Sequence, residues 1–253
     1  MEMIRKDPYY IKNIEEPTEE MQLAAVNKNG ILLQYIKKPT VEVQWQAIKN
    51  NVWAIEYIEN PTEEMCIFAL NSAWNVLKFF ENPTEKVLLK AVSVKGWAVQ
   101  YLNNPSIEVQ KIAVKKDWDS IKYITNPSED VQYIAVSEYF GALKFIKEPT
   151  LKVKRKAILE NAEAINYIQD INEEEMKFFL EDNLDVIKYK ASKLDMQWVK
   201  EVIKVKLSSS DIDRQYVLKF INCSELSLDK DDFIHSYGSR EAKRFFVDYK
   251  LSY

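Results

Sequence analysis

The sequence has few of the residues that catalysis and metal binding most often use. It contains one histidine, His235, and no Cys/His cluster or HExxH motif that could bind zinc. Its two cysteines, Cys66 and Cys223, lie far apart and outside any CxxC pair, which favours reduced thiols. Four glycines leave no GxGxxG or Walker loop to hold a nucleotide. We therefore expect no catalytic residues, no metal site and no cofactor, in a protein that is not an enzyme.

Long apolar runs and an excess of positive charge are also missing. No stretch of about 18 apolar residues could cross a membrane, and the N-terminal MEMIRKDPYY lacks the apolar core of a signal peptide. The formal net charge of −4 gives no global field that would attract nucleic acid or an anionic membrane. These features predict a cytoplasmic protein with no membrane partner.

Proline is scarce as well, but its positions are regular. Apart from Pro8, the prolines recur every 22 residues without insertion or deletion, at Pro17, Pro39, Pro61, Pro83, Pro105, Pro127 and Pro149. A fixed period of this length indicates an array of short structural repeats.

Other residue types recur with the same 22-residue period and so form columns when the repeats are aligned. Threonine or serine follows each of these seven prolines. Alanine stands eight residues after each proline, at Ala25, Ala47, Ala69, Ala91, Ala113, Ala135 and Ala157. An aromatic residue stands eighteen residues after each proline, at Tyr35, Tyr57, Phe79, Tyr101, Tyr123, Phe145 and Tyr167. Small residues allow helices to approach closely, so the alanine column predicts tightly stacked helices.

Each repeat is predicted to hold two helices. Either the hydroxyl residue, such as Thr62, caps the first helix, or Asn60 is the cap and Pro61 the first helical residue. The first helix is expected to run about 11 residues, for example Thr62 to Ser72, and the second about eight, as in Trp53 to Ile58. Because the second helix is apolar on nearly all sides, we expect neighbouring repeats to cover it on both sides.

Units this short bury a core only by stacking on one another. The sequence therefore predicts an all-α fold, a right-handed α-solenoid of about seven to eight 22-residue helix-turn-helix repeats with a helical C-terminal cap. The repeats are assigned to residues 17–190, with the eighth degenerate because Ile171 replaces the next proline. Residues 1–16 are predicted to form an N-terminal half-repeat cap.

The period is lost from about residue 191, and residues 191–253 are predicted to form a helical C-terminal cap or subdomain. Trp198, Val199, Val202 and Ile203 suggest one helix. A loop at residues 208–211 precedes a second helix that ends near Ile221, and Arg240 to Tyr249 forms a third. The carboxylate clusters at residues 173–175 and 229–232 are interpreted as helix starts.

The phrase PTEExxxxAVxxNGxxLxYI, clearest from Pro17 to Ile36, resembles short helical repeats known as a domain of unknown function in bacteria, phages, large DNA viruses and protists. The resemblance covers residues 10–190 and extends distantly to HEAT and leucine-rich-variant arrays. Its Asn-Gly pair is kept only at Asn29-Gly30. The resemblance implies a binding scaffold, for proteins or nucleic acids, and it carries no catalytic residues.

Positions that vary between otherwise uniform repeats are the candidate binding residues. Six residues after the proline, two repeats carry an aromatic side chain, Trp45 and Tyr133. Around the turn between the two helices, the aromatic residues are Trp53, Trp74, Trp97, Trp118 and Phe140. These side chains either fill gaps in the core or form a partly exposed strip that binds another protein.

The densest basic run lies in the sixth and seventh repeats and comprises Lys144, Lys147, Lys152, Lys154, Arg155 and Lys156. It is either an ordinary solvated face or a patch that contacts phosphate or an acidic partner. Tyr133 and Phe140 are near it in sequence, and interleaved aromatic residues are typical of single-strand binding.

The leading hypothesis is a non-enzymatic protein-binding repeat scaffold whose partner is another, unidentified protein. The bias toward Lys, Asn, Ile and Tyr suggests an AT-rich genome, such as that of a low-GC bacterium or its phage, where the chain could inhibit a host defence or regulatory protein. The alternative is a nucleic-acid-binding solenoid that uses the basic run. A third hypothesis places an active site around His235.

Overall fold

The computed structural model describes residues 1–252. Over these residues α-helices alternate with short 3₁₀ helices and no strand is present. The all-α repeat fold predicted from the sequence is confirmed. The chain divides into two compact units, Met1–Pro127 and Ser128–Tyr253.

In the first unit, every α-helix is followed by a six-residue 3₁₀ helix (η). The elements are α1 (Glu2–Lys6), η1 (Pro8–Asn13), α2 (Glu19–Lys28), η2 (Gly30–Tyr35), α3 (Val41–Asn50), η3 (Val52–Tyr57), α4 (Glu63–Ser72), η4 (Trp74–Phe79), α5 (Glu85–Val94), η5 (Gly96–Tyr101), α6 (Ile107–Lys116) and η6 (Trp118–Tyr123). Each α-helix packs on the next α-helix, and each 3₁₀ helix on the next 3₁₀ helix.

The second unit continues the same alternation and then departs from it. Its elements are α7 (Glu129–Glu138), η7 (Phe140–Phe145), α8 (Leu151–Glu160), η8 (Ala162–Tyr167), α9 (Glu173–Asp182), η9 (Leu184–Val186), α10 (Ile187–Lys190), η10 (Ala191–Lys193), α11 (Met196–Ser208), α12 (Arg214–Asn222), α13 (Lys230–Tyr237) and α14 (Arg240–Leu251). Helix α9 packs on α8 as in the other repeats, and α11 packs on α9. Helix α12 contacts η9 and α14, and α13 contacts α11 and α14.

The hydroxyl residue after each proline starts the α-helix. Thr62 has extended backbone angles, and its Oγ1 accepts a hydrogen bond of 3.3 Å from the Met65 N–H. Six of the seven hydroxyl residues cap their helices in this way. The alternative in which Asn60 is the cap is therefore wrong, and the helix has ten residues, Glu63–Ser72.

The same hydroxyl groups also join consecutive repeats. Thr84 Oγ1 donates a hydrogen bond of 2.6 Å to Glu63, the first helical residue of the preceding repeat, and Ser106 does the same to Glu85 at 2.6 Å. Lys86 also binds Glu63, at 2.6 Å. These hydrogen bonds from Lys86 and Thr84 hold the pKa of the Glu63 carboxyl below its usual value. The column of threonines therefore both caps helices and fixes the register between repeats.

The second element of the repeat differs from the predicted eight-residue helix. It is a 3₁₀ helix of six residues, such as Val52–Tyr57, between the extended residues Asn51 and Ile58. Three residues per turn place side chains three apart on the same side, which sorts them differently from an α-helix. Ala54 and Ile55 are buried, whereas Trp53 is 37% exposed. Neighbouring 3₁₀ helices pack against this element on both sides, as the sequence predicted, but they leave its aromatic residues partly open to solvent.

The alanine column is completely buried. All seven alanines have no exposed surface and sit in α-helices that pack on the helices of adjacent repeats. Close packing leaves no space for a larger side chain, as the sequence predicted.

We expect Ala91→Leu to lower the free energy of unfolding by about 1–3 kcal/mol, because the added methylenes overpack the helix interface. Equilibrium urea denaturation measures this change. Ser93→Leu, an exposed position on the same helix, is the control and should shift the free energy by less than about 0.5 kcal/mol. Equal midpoints for Ala91→Leu and the wild type would contradict the close-packing assignment.

Candidate protein-binding surface

The predicted aromatic residues belong to two kinds of element. Trp53, Trp74, Trp97, Trp118 and Phe140 belong to the 3₁₀ helices, where Trp53 is exposed and the other four are half-buried. Trp45 and Tyr133 lie instead on the α-helices α3 and α7, and both are half-buried. In the first unit, the predicted residues therefore lie on two kinds of helix, with Trp53 on η3 and Trp45 on α3.

In the first unit, Trp53, Trp74 and Trp97 each pair with the aromatic residue that ends the next 3₁₀ helix. Trp53 meets Phe79 edge-on with 6.1 Å between ring centroids. Trp74 stacks on Tyr101 at 5.9 Å. These four residues, together with Trp97 and Tyr123 (centroids 6.5 Å apart), are called the aromatic strip.

The partners of the tryptophans were not predicted as site residues. Tyr101 and Tyr123 are each 38% exposed and belong to the aromatic column eighteen residues after the proline. Because every repeat has this column, a search for positions that vary between repeats does not select it. The preference for tyrosine over leucine was an available signal, since a tyrosine hydroxyl usually remains hydrated or hydrogen-bonded at a surface.

Trp97 is fixed in place by charged neighbours. Its indole N–H donates a hydrogen bond of 2.7 Å to Asp119 Oδ1. The ammonium groups of Lys95 and Lys122 lie 4.7 and 4.5 Å from its ring centroid, within the range of cation–π attraction. Lys122 is bound to Asp119 at 2.8 Å, and Lys95 to Asp117 at 2.9 Å. Trp97 is thus held in one orientation before any partner arrives.

Asp119 stays ionised in this arrangement. Partial burial raises the pKa of the Asp119 carboxyl. The hydrogen bonds from Lys122 and Trp97 lower it by more, so the pKa is below its usual value. A negative Asp119 strengthens its hydrogen bond to the indole N–H, because charge-assisted hydrogen bonds are the stronger ones.

Lysine also packs on the first ring pair. The Lys78 ammonium lies 5.5 Å from the Trp53 ring centroid and 4.7 Å from that of Phe79. In the second unit the same pattern recurs with Phe140, whose ring centroid lies 6.3 Å from Tyr167 and 4.7 Å from Tyr139. The ring pairing is therefore a property of the repeat rather than of one location.

Trp45 forms a separate aromatic pair on the α-helical surface. Its ring meets Phe68 of the next repeat edge-on at 5.7 Å, and Lys49 lies 5.8 Å from its centroid. Tyr133, in the second unit, lies beneath the ammonium groups of Lys152 and Lys156 at 5.4 and 5.7 Å.

Most of the basic run is neutralised within the second unit. Lys152 binds Glu129 at 3.0 Å, Lys154 binds Glu175 at 2.7 Å, and Lys156 binds Glu160 at 2.5 Å. Arg155 donates two hydrogen bonds of 2.7 Å to the two carboxylate oxygens of Asp182. The bonds to Asp182 raise the pKa of the Arg155 guanidinium, against the opposing effect of partial burial. Lys144 of η7 and Lys147 line a surface groove of about 870 Å³ together with Lys154 of α8.

The chain's histidine and its two cysteines differ in exposure, since His235 is exposed and Cys66 and Cys223 are buried. His235 is exposed on α13, and its imidazole makes no hydrogen bond to any residue between 1 and 252. Burial raises the pKa of the Cys66 thiol to about 11 and raises that of Cys223 as well. No group of three or more His, Cys, Asp or Glu side chains in the described chain is arranged to hold a metal ion.

Among residues 1–252, no helix has the length and apolar character needed to span a membrane. No protein-family model, no curated protein and no solved structure matches this chain.

Proposed function

We propose that this chain is a non-enzymatic protein-binding repeat scaffold and that the aromatic strip of its first unit is the docking surface. The observation that carries the proposal is the series of three tryptophan-centred ring pairs, each joining two consecutive repeats and each partly open to solvent.

Such a surface has the composition of a protein-interaction hot spot. Tryptophan and tyrosine dominate the binding energy of many interfaces because they bury large areas and lose little side-chain entropy. Trp97 is already oriented by Asp119 and Lys122, so binding would not have to order it. Pre-organisation of this kind raises affinity by lowering the entropic cost of association.

The charges around the strip favour a protein over a nucleic acid. Aromatic rings can also stack on bases, but nucleic-acid affinity comes chiefly from cations that contact phosphates. Lys95 and Lys122 already bind Asp117 and Asp119, and the chain is acidic overall. Inhibition of a host defence or regulatory protein is a finer form of the same proposal, since it requires only a surface that covers the partner.

The triple variant Trp53→Ala, Trp74→Ala, Trp97→Ala is expected to weaken partner binding by about 100-fold or more, because each hot-spot tryptophan contributes roughly 2 kcal/mol or more. The wild-type chain, immobilised, would first be used to purify its partner from a lysate of the source cells. The affinity of that purified partner for each variant would then be measured by calorimetry.

The control is the double variant Trp45→Ala, Phe68→Ala, which removes the aromatic pair of the α-helical surface. Circular dichroism of all variants checks that the helices are retained. An unchanged affinity in the triple variant would contradict the strip as the docking surface, and a loss confined to the control would move the site to α3 and α4. Failure of the wild type to retain any specific protein would contradict the protein-binding proposal itself.

A further inference from the structure

A pocket of about 540 Å³ lies in the second unit, where the regular repeats end. In the seven preceding repeats a proline begins the entry to the α-helix, but Ile171 stands at this position in the eighth. The 3₁₀ helix of the eighth repeat is also shorter, and it continues directly into α10 and η10. The loop before α9 and the segment from Lys190 to Trp198 line this space.

Apolar side chains form part of the pocket's lining. Ile168 and Met176 are buried side chains in its lining, and Leu194 and Trp198 are half-buried. The indole of Trp198 makes no ring pair, cation–π contact or hydrogen bond with any residue that the structure describes. The tryptophans at the other positions discussed above all have such contacts, so the indole of Trp198 is an unused aromatic surface and an unused N–H donor.

Charged side chains of both signs line the same pocket without neutralising one another. Lys190 belongs to α10 and Lys193 to η10. Asp170 lies in the loop before α9, and Glu173 is the first residue of α9. None of the four forms an ion pair within residues 1–252.

The unpaired state of these charges contrasts with their surroundings. Nearby in the same unit, Lys188 binds Asp185 at 2.7 Å and Lys154 binds Glu175 at 2.7 Å. A fifth charged group of the lining, Asp195, is already engaged, because its carboxylate accepts the Gln197 N–H at 2.8 Å and caps α11. Because Asp195 caps α11, the charged groups of the lining that remain available to a ligand are the two lysines and the two other carboxylates.

We infer that the pocket binds a small zwitterion with an apolar or aromatic body, that is, a free amino acid or a short peptide. Its carboxylate would bind Lys190 and Lys193, its ammonium group Asp170 and Glu173, and its side chain would pack on Trp198. The volume lies within the usual range for small-molecule sites, and a few convergent polar groups around an apolar interior are typical of them. This site is independent of the aromatic strip and would remain if the strip proved not to bind protein.

Calorimetric titration of the full chain tests the inference with four probes: L-phenylalanine, the dipeptide Ala-Phe, N-acetyl-L-phenylalanine and L-phenylalaninamide. At least one of the two zwitterions is expected to bind, and the comparison between them distinguishes a free amino acid from a peptide. Each capped derivative lacks one charge and should bind roughly tenfold more weakly, as expected for the loss of one charge-assisted hydrogen bond.

Two paired variants then test the orientation. Lys190→Gln with Lys193→Gln should abolish the preference for the free carboxylate over the amide. Asp170→Asn with Glu173→Gln should abolish the preference for the free ammonium over the acetylated form. Lys177→Gln, on α9 but outside the pocket lining, should preserve both preferences. No binding of either zwitterion up to about 10 mM, capped derivatives that bind as well as zwitterions, or preferences that survive in the paired variants would overturn the inference.

Discussion

Phe179→Ala is expected to lower the free energy of unfolding by about 3–5 kcal/mol, the largest effect of any single substitution considered for this chain. Phe179 stands in the eighth repeat at the position of the alanine column, and it is fully buried. Its helix, α9, packs against both α8 and α11. Truncation would leave a cavity between helices that are fixed by contacts on either side, so the core could not easily close around it.

This substitution distinguishes two expectations. If the consensus of the other repeats determined stability, alanine would be the favourable residue at this position, and the change would be neutral or stabilising. The structure predicts the opposite, because α9 meets the longer helix α11 where the regular array ends, and a large side chain is needed there. A repeat consensus is therefore a guide to stability only where the neighbouring repeat is also regular.

Urea denaturation followed by circular dichroism measures the effect of Phe179→Ala. The control is Phe178→Ala at the adjacent position, where the side chain is half-buried and lies 4.8 Å from the Arg155 guanidinium. We expect about 1 kcal/mol from this control. A change of less than about 1 kcal/mol in Phe179→Ala would contradict its role in the core.

The repeat architecture was largely predictable from the sequence, because the strict period places the same residue types at the same helix positions in every repeat. Proline followed by a hydroxyl residue predicted the helix starts, and the alanine column predicted the close interface. The 3₁₀ geometry was not predictable, since six residues between two extended positions, as around Val52–Tyr57, give too short a pattern to distinguish three residues per turn from 3.6.

The candidate surfaces were only half predictable, for a geometric reason. Trp53 contacts Phe79 and Trp74 contacts Tyr101, residues 26 or 27 positions later in the chain. The sequence shows each aromatic residue, but which ring it meets depends on how one 3₁₀ helix stacks on the next. The same reason explains the basic run, which looked unpaired because Arg155 has its carboxylate partner, Asp182, in the following repeat.

The Arg155–Asp182 pair leads to a prediction in which the two partners behave unequally. The Asp182 side chain is 9% exposed, whereas that of Arg155 is 39% exposed. Arg155→Ala would leave a buried carboxylate without its cation and is expected to lower the free energy of unfolding by about 2–3 kcal/mol. Asp182→Ala would leave a guanidinium that can turn toward water, so its effect should be nearer 1 kcal/mol.

Urea denaturation of the two single variants and of the double variant measures both the asymmetry and the coupling between the residues. Lys152→Ala is the matched control on the same helix, because its pair with Glu129 is well exposed and should contribute little to stability. The basic-run hypothesis makes a different prediction, namely that Arg155→Ala weakens nucleic-acid binding at low salt and leaves stability unchanged. If that pattern were observed, the ion pair would have no structural role and the second unit would have to be considered as a nucleic-acid interface. If stability falls as expected, the positive charge of Arg155 serves to join α8 to α9.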